Sequence, residues 1–160
     1  MTNTQEISKR AAGEAALQYV QDGDLVGLGT GSTVKYFLLA LGEKVKSGFR
    51  VQGIPSSLET ARIAHGLHIP LLPYEGEWKL DVAVDGADQV DPQFQLIKGG
   101  GGALLREKIV ASRPSIHCHC RPGQIRSGFR RDYASTCRGH TLWMAKCTTT
   151  NSSTGLVFAP

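Results

Sequence analysis

Cysteine is absent from the first 112 residues of this 160-residue chain; all four, Cys118, Cys120, Cys137 and Cys147, come later. The front part therefore holds no thiol to act as nucleophile or to ligate a metal. Acid is scarce where cysteine is not. Residues 113–160 carry 7 Lys+Arg against a single acid, Asp132, whereas residues 1–112 carry 11 Lys+Arg and 13 Asp+Glu. The formal charge of +4 is thus −2 in front and +6 behind. No run is long and apolar enough to span a bilayer. The N-terminus, Met1-Thr2-Asn3-Thr4-Gln5-Glu6, has no apolar signal region. The expectation is a cytoplasmic protein with no membrane partner. No segment repeats, and a hydrophobic content of 41% suffices for one core.

Two compositions therefore meet near Ser112, which divides the chain into 1–112 and 113–160. A clustered basic tail would grip phosphates of nucleic acid. The charge here is scattered, and Thr148-Thr149-Thr150-Asn151-Ser152-Ser153-Thr154 is a polar tract. A solvated, disordered tail is expected, with no nucleic-acid partner. His117, Cys118, His119 and Cys120 alternate in a spacing that fits no common zinc pattern, and no second ligand pair follows. No metal is expected.

The front part reads as alternating strands and helices. Asn3 can cap a helix with Glu6 three later, and Ile7, Ala11, Ala15 and Tyr19 recur at helical spacing. Leu25 to Leu28 is a short apolar strand, and Val34 to Val45 a second helix. A strand is expected at Phe49 to Val51. Ser56-Ser57-Leu58-Glu59 resembles a capping box opening a helix through His65. His68 to Leu72 and Leu80 to Val84 read as strands, Leu96-Ile97 as short and extended, and Ala103 to Ser112 as a helix. This alternation predicts an α/β fold, a Rossmann-like parallel sheet with flanking helices. Ligands of such sheets lie beyond the carboxyl ends of the strands. The turns at Thr30–Thr33 and Asp85–Asp88 both follow strands, so both should face one crevice.

Three strings carry chemistry. Gly29-Thr30-Gly31-Ser32-Thr33 joins a strand to a helix, where glycines permit close approach and the helix N-terminus favours an anion. It lacks the lysine of a P-loop and is not a full dinucleotide fingerprint, so a capped tight turn is the plain alternative. Asp85-Gly86-Ala87-Asp88 sets two carboxylates on a strand-end turn, with small residues leaving room for a substrate. Turn formation explains one aspartate more easily than two. Lys98-Gly99-Gly100-Gly101-Gly102 is costly to order. A spacer would mix in serine and connect domains; this run sits inside the α/β pattern and suits a backbone that touches a ligand. Glu107 follows within Arg106-Glu107-Lys108. Alone it reads as a solvated helical residue, and its claim depends on its neighbours.

Together, and in this order, Gly27-Leu28-Gly29-Thr30-Gly31-Ser32-Thr33, Asp85-Gly86-Ala87-Asp88, Lys98 to Gly102 and Arg106-Glu107-Lys108 resemble ribose-5-phosphate isomerase of the A type. The likeness covers residues 1–112, about the first half of that family's chain. It implies an aldose–ketose isomerase acting on ribose 5-phosphate and ribulose 5-phosphate without metal or organic cofactor, a homodimer in its intact form. By that likeness Thr30, Gly31, Ser32 and Thr33 bind substrate near its phosphate, with Lys9 assisting. Asp85, Asp88 and Lys98 serve ring opening and the enediolate oxygens. Gly86, Ala87, Gly99, Gly100 and Gly101 line the site, and Glu107 is the base between C2 and C1. The chemistry is coherent, because removing a proton beside a carbonyl needs a placed base and nearby positive charge or donors.

After Ser112 the likeness stops. The family continues with a strand, an Ile-Ala-Asp-x-x-Lys segment bearing a further substrate lysine, and a small second α+β domain. This chain reads Ile116-His117-Cys118-His119-Cys120-Arg121 instead. Degenerate codons for Ile116 to Arg126, read one nucleotide later, permit Phe-Ile-Val-Ile-Ala-Asp-Pro-Gly-Lys-Phe. Those for Tyr133 to Met144 permit Met-Pro-Leu-Pro-Val-Glu-Val-Ile-Pro-Phe-Gly-Trp. A frameshift near residues 112–115 is therefore expected, the second domain missing or scrambled, and activity impaired. Two rival readings are a non-catalytic phosphosugar- or nucleotide-binding α/β module, which would need no Asp85, Lys98 and Glu107 together, and a basic-tailed nucleic-acid binder.

Overall fold

A computed structural model describes residues 3–75, 78–90, 96–97, 104–111, 116–119, 147–149 and 156–158. Helix α1 (Asn3–Ala16) tightens into a 3-10 turn at Leu17–Tyr19 and leads to β1 (Leu25–Leu28). Then come α2 (Ser32–Lys46), β2 (Gln52–Pro55), α3 (Leu58–Gly66) and β3 (Val82–Gly86). The short β4 (Gln89–Val90) and β5 (Leu96–Ile97) precede α4 (Leu104–Ala111), β6 (Ile116–His119), β7 (Cys147–Thr149) and β8 (Leu156–Phe158).

The main sheet has the order β2-β1-β3-β6-β8-β7. Its first four strands are parallel, with Val26 in register with both Gly53 and Val82, and Ala83 with Ile116. Strand β8 runs antiparallel to both β6 and β7. Strands β1 and β3 are apolar on both faces because helices cover both. Val26, Leu28, Val82 and Val84 are buried with Val34, Phe37, Leu38 and Leu41 of α2. Gly27 is where α4 docks: a Cβ there would lie 2.6 Å from Val110 Cγ1 and 2.8 Å from Leu80 Cδ1.

Two expectations shift. The strand expected at Phe49–Val51 begins at Gln52, because the Arg50 N–H goes to the Asp22 carboxylate at 2.7 Å rather than to a neighbouring strand. The Arg50 guanidinium closes on the same carboxylate and holds Asp22 below its ordinary pKa. The strand expected at His68–Leu72 is reduced to a single bridge between Gly53 and Leu71. His68 turns through a left-handed φ of 60° and Pro70 has no N–H to give. Strands β6, β7 and β8 of the main sheet come from beyond residue 112. Among the described residues no helix is long and apolar enough to cross a membrane.

Candidate active site

The turn after β1 and the turn after β3 are one structure. Gly29 N–H donates to Val84 O at 2.8 Å, carrying the ladder one residue past β1. Thr30 N–H then donates to Asp85 Oδ1 at 3.1 Å, and Gly86 N–H donates to the same oxygen at 2.8 Å. Asp85 is 6% exposed, and two backbone donors fix its carboxylate in place. Position 29 has no room for a side chain: a Cβ would sit 2.3 Å from Asp85 Cγ and Oδ1. The sequence places both glycine and aspartate at strand ends; the parallel register presses them together.

Gly31 follows with φ 125°, a value that L side chains rarely adopt, and caps α2 without any side-chain hydrogen bond. The first turn of α2 therefore presents backbone N–H groups and the hydroxyls of Ser32 and Thr33. Gly31 and Ser32 are exposed and Thr33 is half-buried, as an anion-accepting turn requires.

Lys9 lies on α1, the helix that packs against α2. It is 3% exposed and pairs with Glu6 Oε1 at 2.7 Å. Tyr36 OH donates to Glu6 Oε2 at 2.7 Å, which raises the Tyr36 pKa. One helical turn beyond Lys9, Gly13 lets α1 touch the start of α2. A Cβ there would meet Phe37 N at 2.7 Å and Thr33 O at 2.9 Å. Lys9 and Gly13 share a face by their spacing, so the lysine stands over the helix that follows the turn.

Glu107 is 4% exposed on α4, unusual for a lone helical glutamate. It lies on the same side of α4 as Val110, the residue that docks on Gly27. The three-residue offset between them raises it about 4.5 Å along the helix. Because α4 runs from β5 into a strand parallel to β3, that rise points toward the carboxyl ends. Glu107 is thus buried, not the solvated residue that it reads as when taken alone.

Asp88 is half-buried and Ala87 is buried beside it. Lys98, Gly99, Gly100 and Gly101 lie outside the described residues. Ile97, which precedes Lys98, is the register partner of Gln89, which follows Asp88. Among the described residues no group of acids, histidines and cysteines could hold a metal.

Two residues were not singled out for this site from the sequence. Ser56 and Thr60, 0% and 2% exposed, bond to Thr30 from the end of β2 and the start of α3. Ser57 caps α3 by accepting from Thr60 N–H at 3.0 Å, one residue later than the Ser56–Glu59 capping box implies. The available signal was position: Ser56-Ser57-x-x-Thr60 follows a strand that neighbours β1, at the same sheet edge as the other two turns.

The family model of ribose 5-phosphate isomerase A (phosphoriboisomerase A) matches residues 52–116. A ribose-5-phosphate isomerase A from Nitrobacter hamburgensis is 53% identical over 109 residues, which are 68% of this chain and 47% of that protein. The chain thus spans about half the length of the relatives it matches. A ribose 5-phosphate isomerase from Plasmodium falciparum superposes with a TM-score of 0.73 at 30% identity, over 96% of this chain and 78% of the other. A D-ribose-5-phosphate isomerase solved in complex with phospho-erythronic acid gives a TM-score of 0.73 at 28% identity, over 99% and 80%.

Proposed function

The chain belongs to the ribose-5-phosphate isomerase A family, and from that membership we propose that residues 1–112 carry a site for interconverting ribose 5-phosphate and ribulose 5-phosphate. One observation supports this most: the Thr30 N–H on the Asp85 carboxylate, with Gly29 flat against it. That contact joins an anion-accepting helix start to a carboxylate turn, while Glu107 is buried on the adjoining helix.

In the reaction, the turn Thr30–Thr33 holds the phosphate end, with Lys9 adding positive charge. Asp85 and Asp88 meet the sugar hydroxyls as the ring opens. Glu107 takes the proton from C2; the freed electron pair forms the C1–C2 double bond and the C1 oxygen takes negative charge. Lys98 and the N–H groups of Gly99 to Gly101 stabilise that enediolate. Return of the proton to C1, while the C2 hydroxyl gives its proton to the C1 oxygen and becomes a carbonyl, completes the ketose. No cofactor enters. The working molecule is a cytoplasmic homodimer whose partner is this sugar phosphate, without nucleic acid or membrane.

The chain as written is impaired. The family-model match stops at residue 116, close to the change of composition. Beyond it, degenerate codons read one nucleotide later permit the lysine segment that the written frame lacks. The decisive experiment compares the written chain with a frame-restored gene in an aldose-to-ketose assay. Turnover only after restoration is the expected result. Robust turnover by the written chain would refute the impairment, and an inert restored enzyme would refute the isomerase reading.

A further inference from the structure

We infer that Ser56 and Thr60 are positioning residues for the anion-accepting turn, and that they act by taking up the Thr30 hydroxyl. This rests on reading that turn as the sugar-phosphate site. The argument is a count of protons. Each hydroxyl has one proton and two acceptor positions. Thr60 Oγ1 gives its proton to Gly29 O at 2.7 Å. Toward every other neighbour it is an acceptor: Ser57 Oγ donates to it at 3.0 Å, which leaves one position for Thr30 Oγ1 at 3.2 Å. With Thr30 donating to Thr60, Ser56 Oγ donates to Thr30 at 2.8 Å, and all four hydroxyl protons are used. The opposite order, Thr30 donating to Ser56, puts two oxygens at 3.2 Å with no proton between them.

In either order the Thr30 hydroxyl proton points inward. Its backbone N–H is engaged by Asp85. Thr30 therefore has no proton left for an anion, and the phosphate donors fall to Gly31, Ser32 and Thr33. Thr30 becomes a buckle, locked from one side by β3 and from the other by the β2–α3 unit. Burial of Ser56 and Thr60 at 0% and 2% keeps water from substituting for either partner.

The test is equilibrium binding to the full chain, read by ligand-observed NMR with ribose 5-phosphate, inorganic phosphate and unphosphorylated ribose. Thr60→Val keeps the shape and removes the hydroxyl. It should weaken both phosphate-bearing ligands on the order of tenfold, leave the response to ribose unchanged, and retain the wild-type circular dichroism spectrum. Thr60→Ser should restore the affinity. In the frame-restored enzyme, Thr60→Val should raise KM for ribose 5-phosphate with kcat within about twofold. Equal affinity in wild type and Thr60→Val, or equal loss in Thr60→Val and Thr60→Ser, overturns the inference alone. A wild-type chain that binds neither phosphate ligand overturns the inference together with the functional reading. Should Thr60→Val unfold, Ser56→Ala takes its place: it leaves the Gly29 clamp intact, and unchanged phosphate affinity in that variant overturns the inference equally.

Discussion

At the scale of single residues, the site depends on groups whose burial contradicts their type. Glu107 is 4% exposed, and a glutamate placed so deep is there for chemistry or for a specific partner. In the frame-restored enzyme Glu107→Gln should lower turnover by roughly a hundredfold to ten-thousandfold while ribose 5-phosphate still binds. Titration of the variant with substrate, beside its initial rates, checks both halves; near-normal turnover removes Glu107 from the role. Gly29 makes the complementary case. With only 2.3 Å to Asp85 Oδ1, a methyl must push the carboxylate off the Thr30 N–H. Gly29→Ala should cost about 1–3 kcal/mol in urea unfolding and lose phosphate binding, whereas Gly66→Ala, with open space around it, should do neither.

At the scale of elements, the helices place what the turns cannot. Gly13 brings α1 against backbone atoms of α2, at 2.7 Å from Phe37 N, and backbone cannot yield as a side chain can. Gly13→Val should destabilise by about 1–3 kcal/mol and displace Lys9; urea midpoints and phosphate affinity together report it. The same helix pair is pH-sensitive through Tyr36. Its hydrogen bond to Glu6 comes first among the causes that raise its pKa, so the folded state holds that proton longer than the unfolded chain does. Such a group contributes stability that is intact below the unfolded value near about 10 and is lost as pH climbs toward the folded one. Wild type should therefore lose more stability than Tyr36→Phe between pH ~9 and ~11, measured by urea unfolding. Equal losses would clear Tyr36 of the effect.

The elements also show what could be read from the sequence. Periodicity located all four helices and strands β1 and β3, because their apolar spacing reflects burial in a parallel sheet. It misplaced β2 because Asp22, 28 residues from Arg50 in sequence, takes the N–H that would have opened the strand. It invented a strand at His68–Leu72 because neither a left-handed φ nor a lone bridge leaves a composition mark. The glycine and aspartate turns were legible as motifs. The buried hydroxyls of Ser56 and Thr60 were not, since their partner Thr30 is 26 to 30 residues away and only sheet order makes them neighbours.

At the scale of the whole molecule, topology and composition disagree. Strand β6 lies between β3 and β8, so it is a central strand of the main sheet. Central strands between helix layers are nearly continuous in apolar residues. The written residues are Ile116, His117, Cys118 and His119. Degenerate codons read one nucleotide later permit an unbroken apolar run at the same place. Resequencing codons 112–115 should reveal a single-nucleotide insertion or deletion, and an intact frame would end the idea. The frame-restored protein should melt at higher temperature and stay soluble at higher concentration than the written chain, checked by calorimetry and light scattering.

The parallel register also works as a ruler. The helix start after β1 and the carboxylates after β3 hang from adjacent strands about 4.8 Å apart, and the Thr30–Asp85 bond forbids them to slide. On the proposed reading of the site, that fixed spacing sets the distance between a ligand's charged end and its reacting carbons. On that reading a longer or shorter sugar would need one of the two turns resized, which makes carbon-chain length the substrate property held most tightly.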